Sequence, residues 1–350
     1  MAKEKVNDLK ISKKKPSFPI TKDLQSYLSE YKREIRIPVF YEDLLRFQGS
    51  VSVYDKEGND TLWIRVYYSD YEREEIDLSL KKVYTNLHSD GNEKIISFLN
   101  IDAIDYCTFG NSKPFRVKVR NILNDNYTYF YVKKADASRV YGLELEHMLS
   151  PYNLNFMVFK DTLIEEHISG IPGDEFIKNM LPDCNELERS QIAKEFVKFN
   201  ERCMIRLLGD MRSYNFVIDM TPDFDQIQYR IRTIDFDQQS YEGRMRFYLP
   251  QFFRENINYV NMALDELSVE SIEQYQAEER ALSAKRISLA SYQYKELIAV
   301  MLEDKISTPE KIEQLASELA EFHSSEDFLK ASSMGDLVRM NINHTLHLDF

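Results

Sequence analysis

Cysteine, glycine and proline are all scarce in this chain of 350 residues, at three, ten and ten copies. The thiols Cys107, Cys184 and Cys203 are widely spaced and form no C-x-x-C pair. That excludes a disulfide framework and a cysteine-built zinc site, and it fits a reducing compartment. So little glycine and proline excludes a fibrous or low-complexity protein. Basic residues are outnumbered, 45 against 58 acidic, for a net charge of −13. Phosphate contacts need lysine and arginine, so a coat for nucleic acid is excluded and no nucleic-acid partner is expected. No run approaches 18 uninterrupted apolar residues, so no membrane span or membrane partner is expected.

What the chain does have is 43% hydrophobic and 13% aromatic residues, enough to build a substantial core in one large or two ordinary domains. Residues 1–22 are lysine-rich and include Pro16 and Pro19; they read as a flexible basic arm without the apolar stretch of a secretory leader. The expectation is a soluble, cytoplasmic protein.

Residues 23–99 read as an N-terminal accessory region containing a hairpin. Gly49 to Tyr54 alternates, Leu62 to Tyr68 alternates, and Lys56-Glu57-Gly58-Asn59 supplies the turn. Residues 100–168 are strand-rich: Phe115, Val117 and Val119 alternate with Arg116, Lys118 and Arg120, and Tyr127 to Val132 is aromatic and β-branched. Asp136 or Ser138 is placed to cap a short helix carrying Val140, Leu143, Leu145 and Met148. Strands follow at 155–159 and 162–168, then a break at Ser169-Gly170-Ile171-Pro172-Gly173.

From 169 to 350 the pattern is helical. Ile192, Phe196, Phe199, Cys203 and Leu207 recur at intervals of four, three, four and four, one apolar stripe along nearly five turns. Further helices are expected over 252–267, 272–301 and 309–322. Strands before helices predict an α+β protein of two lobes.

The chemistry is concentrated just past the striped helix, in Leu208-Gly209-Asp210-Met211-Arg212-Ser213-Tyr214-Asn215. Twenty residues after Asn215 comes Ile234-Asp235-Phe236-Asp237, with a hairpin tip expected at Thr221-Pro222-Asp223 between them. Three polar side chains thus leave short loops at the ends of apolar segments. A carboxylate and an amide oxygen are hard donors that suit Mg²⁺. A second carboxylate to orient a nucleophile completes much of what phosphoryl transfer needs.

These motifs resemble the protein-kinase-like superfamily, especially its aminoglycoside phosphotransferase and small-molecule kinase branches, whose catalytic loop reads H-G-D-x-x-x-x-N and whose metal aspartate sits in I-D-F-[DEG]. The resemblance covers residues 100–255. It implies a two-lobed kinase-like fold, with a strand-rich N-lobe over 100–168 and a helical C-lobe over 169–350. It implies ATP and Mg²⁺ as cofactors, Asp210 as catalytic base, Arg212 near the transferred phosphate, and Asn215, Asp235 and, as an outer ligand, Asp237 on the metal. Lys133, in Phe130-Tyr131-Val132-Lys133, would hold the nucleotide phosphates, with Glu146 or, second, Glu144 as its partner. Gly110 and Ser112 would lie in the phosphate-covering loop, and Glu166, His167 and Ile168 in the inter-lobe hinge that receives adenine.

Three departures from the family pattern stand out: Leu208 replaces the usual histidine, the covering loop has only Gly110, and Asp237 replaces the glycine of D-F-G. Together they point to a small-molecule kinase with an unidentified hydroxyl acceptor. The alternative they raise is a catalytically inactive pseudokinase-like scaffold that acts by protein–protein interaction. His344 and His347 form an isolated H-x-x-H with no third ligand nearby in sequence.

Overall fold

The structure is a computed structural model that describes residues 15–89, 91–110, 112–224 and 226–349. Residues 1–14 of the expected arm lie outside the described residues. The chain is α+β and divides into two compact units. One holds Ser17–Ala137 and Asn153–His167; the other holds Ser138–Tyr152 and the chain from Ile168 on, together with Lys15 and Pro16.

The first unit is strand-rich. In chain order it contains α1 (Lys22–Glu30), α2 (Tyr41–Leu44), β1 (Gly49–Tyr54), β2 (Asp60–Tyr67), α3 (Asp70–His88), β3 (Leu99–Cys107), β4 (Phe115–Asn121) and β5 (Tyr127–Lys134). The chain then leaves as α4 (Ala137–Leu149) and returns for β6 (Phe156–Phe159) and β7 (Thr162–Glu166). All seven strands form one antiparallel sheet in the order β1-β2-β3-β4-β5-β7-β6. The expected hairpin of the accessory region is therefore the outer edge of the same sheet that carries the strands of 100–168.

Period-2 alternation sets the two faces of this sheet. Phe115, Val117, Val119, Phe130 and Val132 are buried in one core, while Arg116, Lys118, Tyr129 and Tyr131 lie on the other face. Helix α3 supplies Ile76, Leu80, Val83 and Leu87 to that core. Burying each of these side chains contributes about 1.5–3 kcal/mol. Their spacing of four, three and four is the helical periodicity that marks α3 in the sequence.

The second unit is helix-rich. After α4 come β8 (Ile171–Pro172), α5 (Gly173–Asn179), α6 (Glu186–Arg206), β9 (Phe216–Asp223) and β10 (Gln226–Thr233), then α7 (Ile257–Glu266), α8 (Val269–Leu289), α9 (Ser291–Glu303), α10 (Pro309–His323) and α11 (Met334–Leu346). The stretch 272–301, expected as one helix, is two, broken at Ala290. The hairpin turn falls after Asp223, with Phe224 at φ 42°, so Pro222 lies within β9.

Helix α6 is the striped helix. Asn185 and Glu188 form its capping box, Ile192, Phe196, Phe199 and Cys203 are buried, and Leu207 ends it in the left-handed conformation at φ 54°. No helix among the described residues is long and apolar enough to cross a membrane.

Candidate active site

The left-handed end of α6 turns the chain into a loop fastened by several backbone hydrogen bonds. Leu208 bridges Gln239, Gly209 N donates to Gln238 O at 3.1 Å, and Asp210 N donates to Phe247 O at 3.2 Å. Asp210 itself sits at φ 59°. Aspartate is among the few residues with a side chain that enter this region readily. Beyond it, Arg212 N donates to Asp210 O at 2.8 Å and Asn215 N to Arg212 O at 2.8 Å. Ile234 N then donates to Asn215 O at 3.1 Å, tying the loop to the segment that carries Asp235. The two motifs, twenty residues apart, are one hydrogen-bonded structure.

The side chains follow from that backbone. Asn215 Nδ2 donates to Asp210 O at 2.7 Å, which fixes the amide's orientation and leaves Oδ1 as its free acceptor. Asp235 Oδ1 accepts from Asp237 N at 2.9 Å, leaving its second oxygen. Both groups offer hard oxygens of the kind that suit Mg²⁺, which takes one or two protein ligands and fills its shell with water and phosphate oxygens. Among the described residues no cluster of three or more His, Cys, Asp or Glu forms a self-sufficient metal cage.

Asp210 is a half-buried carboxylate with an incomplete set of partners. Arg212 Nε donates to its Oδ1 at 2.8 Å. Burial pushes its pKa up to about 7; Arg212 opposes the rise, and the charges of Asp235 and Glu255 add to it. Arg212 is in turn held by Glu255 at 2.7 Å and lies 5.2 Å above the Phe253 ring. Sequence reading did not name Glu255, which no motif marks.

Asp237, expected as an outer metal ligand, is ion-paired with Arg139 of α4. Helix α4 reaches this segment closely because Gly142 faces it: a Cβ there would stand 3.1 Å from the Cβ atoms of both Phe236 and Gln239. On the same helix, Glu146 pairs with Arg206 at the end of α6, and Glu144 accepts from Gln293 Nε2 at 3.1 Å. Arg206 Nη2 also donates to Thr233 Oγ1 at 3.2 Å, and burial pushes its guanidinium down to about 9.

The remaining expected residues lie in the strand-rich unit, apart from Ile168. Lys133 Nζ donates to Glu165 Oε2 at 2.5 Å, and both side chains are buried. In the register of β5 on β7, Lys133 faces Leu163 and Tyr131 faces Glu165, so Glu165 is the diagonal same-face neighbour of Lys133. The same-face spacing in Tyr131 and Lys133 was the signal for a partner across the sheet. Gly110 takes φ 82° in the loop between β3 and β4, whose ends are pinned by Thr108 Oγ1 to Leu62 O and by Tyr41 Oη to Lys113 O, each at 2.9 Å. Ser112 lies in the same loop, half-buried. Glu166 accepts from the backbone and side chain of Asn155, at 2.9 and 3.1 Å. His167 Nδ1 meets Tyr131 Oη at 3.2 Å, and burial, then the charge of Arg116, lowers its pKa. Ile168 is buried, and the boundary between the units falls between it and His167.

No protein-family model and no curated protein matches the chain. Among solved structures 122 chains match. One is an ethanolamine kinase from Plasmodium vivax, 14% identical, with a TM-score of 0.30 over 75% of this chain and 87% of that one.

Proposed function

We propose that the protein is an ATP- and Mg²⁺-dependent phosphotransferase of the kinase-like superfamily that transfers the γ-phosphate to a hydroxyl of a small molecule. The observation that carries this reading is the single hydrogen-bonded loop in which Asp210, Asn215 and Asp235 are held together. Mg²⁺, when bound, supplies charge neutralisation and in-line positioning of the phosphates. Asn215 Oδ1 and the second oxygen of Asp235 are its protein ligands. Asp210 orients the acceptor hydroxyl and takes its proton, a role suited to a carboxylate poised near neutral pH. Arg212 neutralises the transferred phosphate, and Lys133, oriented by Glu165, steadies the nucleotide phosphates. The likeness to the ethanolamine kinase is in keeping with the fold; the choice of acceptor does not rest on it.

One observation favours the scaffold reading instead: the Asp210 carboxylate is already paired with Arg212. A thermal-shift titration with ATP separates the two readings, because a ligand bound only by the folded state raises the melting temperature. A phosphotransferase shows a saturable rise that is larger with Mg²⁺ than with EDTA, and Asp235→Asn removes the Mg²⁺ increment. No rise with any nucleotide, with or without Mg²⁺, rejects the proposal.

A further inference from the structure

The helix-rich unit contains a cavity of about 600 Å³ that none of Asp210, Arg212, Asn215 or Asp235 lines. Its volume is in the range of pockets that hold organic ligands. Met204, Leu249, Phe252 and Phe322 give it an apolar lining, and Arg246 and Arg280 are among its polar groups. The one acid on its wall, Glu201, is neutralised by Arg280 at 2.6 Å. That leaves Arg246, 5.2 Å from the Phe252 ring centroid and without a carboxylate partner among the described residues, as the uncompensated charge. His323, His344 and His347 also line the cavity, the first two with ring centroids 4.4 Å apart.

One further feature marks the cavity as a built site. His323 is oriented from behind. Asn341 Nδ2 donates to Met204 O at 2.8 Å and Ile205 O at 3.0 Å, so its Oδ1 accepts, and His323 Nε2 donates to that oxygen at 2.8 Å. The neutral tautomer is thereby fixed with its proton on Nε2.

We propose that this cavity is a second ligand site, taking a small organic carboxylate with a flat apolar body. The body lies on Met204, Leu249 and Phe252, and the carboxylate meets Arg246. The site goes beyond the phosphotransferase reading and does not depend on it.

The test is isothermal titration calorimetry of the full chain with 2-naphthoate and with its uncharged isostere 2-naphthamide. We expect saturable 1:1 binding of naphthoate, at least tenfold tighter than the amide. Arg246→Gln, on an exposed side chain, should abolish that preference without lowering the melting temperature. Phe252→Ala should weaken both compounds, and Asp210→Asn should change neither. No saturable binding of naphthoate, equal affinity for the two compounds, or a preference that survives Arg246→Gln overturns the proposal.

Discussion

Asn215 does not merely stand near Asp210: its amide nitrogen donates to the backbone carbonyl of Asp210 at 2.7 Å, so a proposed metal ligand also holds the proposed base in its left-handed turn. Replacing Asn215 by Ala removes both functions. We expect about a tenfold to hundredfold loss of Mg²⁺ affinity, the size seen when a metal site's supporting hydrogen bonds are removed. The stability cost should be about 1 kcal/mol from the lost hydrogen bond. Mg²⁺ titration of nucleotide-bound protein reads the first and chemical denaturation the second.

The raised pKa of Asp210 makes two pH predictions. As a base it must be ionised, so turnover should climb as pH rises through about 7 and level off above it. Stability moves the other way. A carboxyl whose folded pKa lies above the unfolded value of 3.8 favours the protonated folded state, a contribution complete below pH 4 and lost as pH rises through about 7. Asp210→Asn should therefore melt above the wild type at pH 8, with the gap closing towards pH 4. A constant gap across that range contradicts the assignment.

The pair of Arg206 and Glu146 is buried on both sides, so breaking it from one side strands a charge. Glu146→Leu should cost about 3–5 kcal/mol, whereas replacing both partners with apolar residues of similar volume should recover most of that loss. Urea denaturation of Glu146→Leu, Arg206→Met and the double variant measures the coupling. If Glu146→Leu alone is neutral, the pair does not hold α4 to the end of α6.

Gly173 begins α5 against the loop. A Cβ there would stand 2.6 Å from Ser213 O and 2.5 Å from Phe216 Cε2. Gly173→Ala should displace the 213–216 segment that carries Asn215, lowering turnover at least tenfold although no ligand-bearing residue changes. Kinetics at saturating Mg²⁺ and ATP checks this.

Much of this architecture was legible because apolar periodicity reports burial directly. The alternation at Phe115, Val117 and Val119 and the stripe on α6 appear as expected. The Asp210 loop could be read because its residues are close in sequence and each has one chemical use. What could not be read depends on register and on long-range packing. Glu165 became the partner of Lys133 only once β7 was laid beside β5 in a particular register. Arg139 reached Asp237, and Arg206 reached Glu146, only once α4 was packed on the segments after α6. Glu255 lies 43 residues from Arg212, with nothing in its neighbourhood to mark it.

The most direct test is transfer of label from γ-labelled ATP into a mixed pool of hydroxyl-bearing metabolites, comparing wild type, Asp210→Asn and Asp235→Asn with and without Mg²⁺. The account predicts Mg²⁺-dependent labelling of an acceptor by the wild type and none by either variant, with both variants folded by melting temperature. Equal labelling by Asp210→Asn and the wild type would contradict it.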